Sequence, residues 1–127
     1  MRIDELIGVY DANGGWRGEA SYVVGHLLGT RNCALCDVTH SAVRRKPQWD
    51  TMVRNLGVPF ALLHRNEMPA DVTSAVGEHP LPLVLARVDD HLRMLMPADD
   101  VALANGSVTE FEVLARAAAD AAGWNLG

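Results

Sequence analysis

The sequence predicts one α/β domain, a mixed sheet of about four strands flanked by helices. Three observations carry this. Short apolar runs alternate with segments of helical periodicity, the pattern of parallel strands joined by helical crossovers. Two later apolar runs are separated only by Asp89-Asp90, which reads as a tight hairpin turn. A helix with a marked start then closes the order. At 127 residues the chain fits a single domain, residues 1–127, and is long enough to bury one core without staples.

Leu6-Ile7-Gly8-Val9-Tyr10 reads as a buried strand, and Asp11-Ala12-Asn13-Gly14-Gly15 as the turn that leaves it. Ala20, Val23, Val24, Leu27 and Leu28 then recur at helical spacing, and Gly29 stops the helix. Thr30 to Lys46 holds both cysteines. Pro47 opens a second helix, where its missing N–H is harmless, with Trp49, Met52, Val53 and Leu56 on one face and Gly57 at its end. Val58 to His64 is the second strand, with Pro59 tolerated near its start. Pro69 to Val76 is a short helix closed by Gly77. Leu83 to Val88 is the third strand. His91 to Met96 alternates apolar and polar residues, as a strand with one solvated face does. In the last helix Ser107-Val108-Thr109-Glu110 forms a capping box, Phe111, Leu114, Ala115, Ala118 and Ala122 a stripe, and Gly123 the end.

Charge narrows the partners. Eleven Lys and Arg against sixteen Asp and Glu leave the chain at −5, which argues against nucleic acid, because counterion release needs clustered cations. The one basic cluster, Arg44-Arg45-Lys46, reads as a solvated turn before a helix. Met1-Arg2-Ile3-Asp4-Glu5 does not resemble a signal peptide, and no apolar stretch approaches membrane-spanning length. The expectation is a cytoplasmic protein with no membrane or nucleic-acid partner. In that compartment a cysteine pair points to redox chemistry or metal binding.

The order of elements resembles the thioredoxin-like fold, and the likeness spans nearly the whole chain. Its most specific piece is Leu81-Pro82-Leu83-Val84, followed by the Asp89-Asp90 hairpin and a final helix. The resemblance implies a cis Pro82 lining the active site. It also locates a redox Cys-x-x-Cys where the first strand meets the first helix. Here that position holds Asn13-Gly14-Gly15-Trp16, and the Cys-x-x-Cys comes about twenty residues later, as an insertion after the first helix. The chain is also similar to a small bacterial family sharing the run Cys-Ala-Leu-Cys-Asp-x-Thr-His, a likeness that implies no activity.

Cys33-Ala34-Leu35-Cys36 carries the strongest chemical signal. Asn32 is a favoured N-cap residue, so Cys33 would lie in the first turn of a short helix, whose amides stabilise a thiolate. The spacing serves a disulfide or a shared metal equally. His40, four residues after Cys36, can approach it on a helix face and would tune the thiolate or complete three soft or borderline ligands. Zinc normally takes four, so His26, His64, Asp37, water or another subunit would have to supply the last. Asp37 follows the pair where haem attachment requires histidine. The turn Asp11 to Gly18 fits only part of a dinucleotide-binding glycine pattern and holds no Gly-Lys-Ser/Thr. Asp11 and His64 end strands and so face the usual crevice of an α/β sheet. His26 reads as packed, and His79 and His91 as surface residues. Met94 and Met96 read as core or sheet surface. Trp16, Trp49 and Trp124 are too scattered for a stacking platform.

Three functions follow as expectations. The first is a thiol-based redox protein, possessing Cys33 as attacking thiolate, Cys36 as resolving thiol and His40 as tuning group, and acting on a protein or small-molecule thiol. The second is a module binding zinc or a soft metal such as Cu(I) through Cys33, Cys36 and His40. The third is a non-catalytic interaction domain on the same scaffold.

Overall fold

A computed structural model of the protein describes residues 1–11, 34–39 and 46–126. The expected helix of Ala20 to Leu28, the glycine-rich turn from Asn13 to Gly18, Trp16, and Arg44-Arg45 lie outside the described residues.

The described strands are β1 (Ile3–Val9), β2 (Phe60–Leu63), β3 (Leu83–Val88) and β4 (His91–Met96). They form one open mixed sheet of order β2-β1-β3-β4. β1 pairs parallel with β2, from Leu6 opposite Phe60 to Val9 opposite Leu63. It pairs antiparallel with β3, which pairs antiparallel with β4. The helices are α1 (Ala34–Thr39), α2 (Pro47–Leu56), α3 (Ala70–Val76), α4 (Ala98–Ala102) and α5 (Val108–Ala122).

Alternation along β1 assigns its side chains to two faces. Leu6 and Tyr10 join the larger core with Leu35 and Val38 of α1, Trp49, Met52 and Leu56 of α2, and Phe111, Ala115 and Ala119 of α5. Trp49 anchors it, its ring 4.9 Å from Phe60 and 5.3 Å from Phe111. Ile7 and Val9 face the other way, with Leu83 and Leu85, onto Val72 and Val76 of α3. α1 packs against α4 and α5.

The helix ends follow the sequence signals. α2 begins on Pro47 and ends at Gly57, and α5 ends at Gly123; both glycines take left-handed φ, 77° and 78°. Ser107 Oγ accepts the Glu110 amide at 3.2 Å, as a capping serine should. The reciprocal arm of the expected box goes elsewhere, because the Ser107 amide donates to the Ala104 carbonyl at 2.9 Å.

Three differences have physical causes. β1 starts at Ile3 rather than Leu6, because Ile3 is buried and Glu5 is paired with Arg87 at 3.2 Å, so acidic residues sit within a strand. β2 is shorter than Val58 to His64, although the Pro59 carbonyl still accepts the Leu6 amide at 2.9 Å. α4 was not foreseen: five residues are too few for a period, and Val101 is its buried residue. The hairpin forms as expected, with Asp89 and Asp90 at φ 56° and 64°, the signs a type I′ turn requires. A bulge between Val84 and Leu85 turns both Leu95 and Met96 into the larger core, while His91 and Arg93 stay exposed. No helix among the described residues is long and apolar enough to cross a membrane.

Candidate functional site

The parallel register of β1 and β2 brings their carboxyl ends together, and the antiparallel register of β3 brings its start to the same place. Tyr10 follows β1, His64 follows β2 and Pro82 precedes β3. The Tyr10 amide donates to the Leu63 carbonyl at 2.8 Å. Its ring lies 5.1 Å from the His64 ring, tilted by 53°. Pro82 is buried, and the Leu81–Pro82 peptide bond is cis, the state the resemblance implies. Asp11 Oδ1 accepts from the Arg65 guanidinium at 3.3 Å. That pair is about two-fifths exposed, so it contributes about 1 kcal/mol at most.

A 3-10 turn, Arg65–Glu67, leads away from β2 and brings Glu67 back onto His64. Glu67 Oε1 accepts the His64 backbone N–H at 2.8 Å and lies 2.6 Å from its ring Nδ1. The backbone hydrogen bond first, and the ring contact second, hold the Glu67 carboxyl below its ordinary range. An ionised carboxylate can only accept, so against it the ring nitrogen of this contact is the donor.

Cys36 lies on α1, which Thr39 links to Tyr10. Gly8, in β1, leaves a notch: a Cβ there would stand 3.0 Å from Leu35 Cδ2 and 3.1 Å from Leu62 Cδ2. Leu35 fills that notch and is fully buried. Thr39, at the end of α1, is the buried polar residue among the described ones. Its Oγ1 is 2.9 Å from Tyr10 Oη and donates to the Cys36 carbonyl at 3.4 Å. The Lys46 amide donates to the Thr39 carbonyl at 2.8 Å. Cys36 itself is 7% exposed, within the larger core. Such a sulfur presents little surface to a reagent from solution.

Of the residues singled out from the sequence, Asp11, His64 and Pro82 meet at one sheet end, and the helix that carries Cys36 is linked to Tyr10 there through Thr39. Cys33, His40 and His26 lie outside the described residues. His79 and His91 are exposed, Trp49 is core, and Met96 is buried. Among the described residues no three His, Cys, Asp or Glu side chains are grouped to hold a metal. Tyr10, Thr39 and Glu67 were not foreseen as site residues. Two signals could have found Tyr10 and Glu67: Tyr10 ends the first strand as His64 ends the second, and Glu67 lies at i+3 from His64. No family model, curated protein or solved structure matches the chain.

Proposed function

We propose that this chain is a thiol-based redox protein on a thioredoxin-like scaffold, in which Cys33 attacks and Cys36 resolves. One observation carries the reading: the Tyr10–Thr39 hydrogen bond ties the helix of Cys36 to the sheet end that Pro82 and His64 line. That tie, through the helix of Cys36, supports a reading in which the displaced Cys-x-x-Cys serves the edge where a thioredoxin-like site belongs. The order of strands, with β1 and β2 parallel and a closing hairpin and helix, supports the scaffold.

The burial of Cys36 suits the resolving role. A resolving thiol need only reach its neighbour's sulfur, whereas the attacking one must meet a partner. The Cys33 thiolate attacks a protein or small-molecule disulfide. The partner's S–S bond breaks, a mixed disulfide forms, and the departing thiolate takes a proton from water. Cys36 then loses its proton and attacks the Cys33 sulfur, releasing the second partner thiol. Two thiols of the chain lose two electrons and two protons, and one partner disulfide becomes two thiols.

The test is trapping with glutathione disulfide, read by intact mass. Cys36→Ser should accumulate a mixed disulfide with one glutathione. The wild type should pass to an internal disulfide, lighter than the reduced chain by two hydrogens. Cys33→Ser, left with the buried thiol, should react about tenfold more slowly or less. A wild-type mixed disulfide that never resolves, or two cysteines inert in the folded chain, would overturn the reading.

A further inference from the structure

We propose that α3 is a cover that opens from the sheet as a unit, and that Arg87 is its latch, so that ionic strength sets how often it opens. α3 has seven residues, too few for a helix to stand alone in water. Its buried residues are Val72 and Val76, one turn apart, whereas α5 buries Val108, Phe111, Ala115 and Ala119. Pro69 precedes it and Gly77 follows it, the glycine at φ 54°, where other side chains are strained. A short helix with so small an apolar footprint, set off at both ends, is a unit that opens at less cost than global unfolding.

The latch continues the face of the sheet that α3 covers. Glu5, Ile7 and Val9 alternate to one side of β1, and Leu83, Leu85 and Arg87 to the same side of β3. Glu5 stands opposite Arg87, and its carboxylate accepts from Arg87 Nε at 3.2 Å. That bond aims the planar guanidinium, whose Nη2 donates to Asp71 Oδ2, in the first turn of α3, at 3.1 Å. The same contact holds the Asp71 carboxyl below its ordinary range. All three side chains touch solvent, so dissolved salt screens both pairs. Opening of α3 bares Ile7, Val9, Leu83 and Leu85, and Leu83 adjoins the cis Pro82 of the candidate site.

The test is native-state amide hydrogen exchange of the full chain at about 10 mM and about 1 M salt. The Thr73 and Gly77 amides, bonded to the Pro69 and Thr73 carbonyls, report on α3. Their protection should fall about three- to fivefold at the higher salt, while the interior amides of α5 keep theirs. Arg87→Met should show the lower protection already at low salt and lose the salt response. Arg87→Lys, which keeps the charge but bonds one carboxylate at a time, should fall between the two. α3 amides that exchange at the α5 rate, a salt response that survives in Arg87→Met, or an Arg87→Met chain in which every amide speeds up equally would each overturn the proposal.

Discussion

Glu67 accepts two hydrogen bonds from a single residue, and that makes its ionisation a stability term. Its carboxyl is held below the ordinary value of 4.5 by His64, chiefly through the backbone N–H. In the unfolded chain the carboxyl returns to that ordinary value. The increment is therefore fully present above about pH 4.5 and is lost as pH falls through the lower folded value. The Glu67 side chain is roughly half exposed, so the increment is small. Urea unfolding at a series of acidic pH values should show Glu67→Gln losing less stability than the wild type below pH 4.5. Parallel curves for the two proteins would contradict the assignment. At this scale the sequence marked His64 by its strand end, but not Glu67, because an i+3 acid gains meaning only once the 3-10 turn is formed.

Among the elements, the docking of α1 on β1 depends on the absence of a side chain at Gly8. A Cβ there would press on Leu35, Leu62 and Phe60, at 3.0 to 3.2 Å. Gly8→Ala should cost about 1–3 kcal/mol by overpacking, against the roughly 0.5–1 kcal/mol that alanine regains over glycine in a strand. A lower urea midpoint at unchanged slope would bear this out. An unchanged or higher midpoint would mean that Leu35 moves aside at no cost. Elements were legible where the chain carries local punctuation: Pro47 before α2, Asp89-Asp90 between β3 and β4, Ser107 before α5. They were not legible where tertiary contact decides. Asp4 and Glu5 precede the apolar run that begins at Leu6, yet the buried Ile3 and the Glu5–Arg87 pair draw them into β1. α4 buries Val101 alone of its five residues, below what a periodic pattern can reveal.

Across the whole molecule, the order of strands gathers residues distant in sequence to one sheet end. Asp11 meets Arg65, Tyr10 meets His64 and Thr39, and Pro82 precedes the Leu83 that pairs with Val9. Strand ends and a proline before the third strand were readable singly. Their convergence with the Cys36 helix was not, since it depends on two side-chain oxygens 29 residues apart. Redox activity is what we propose for the cysteine pair. It is tested most directly on one sample of untagged protein, purified under argon without chelator, by measuring bound metal and reactive thiols together. A redox pair gives no stoichiometric metal and two thiols that disappear on oxidation and return on reduction. Metal near one equivalent with thiols masked until denaturation, or two thiols inert to oxidation, would contradict it.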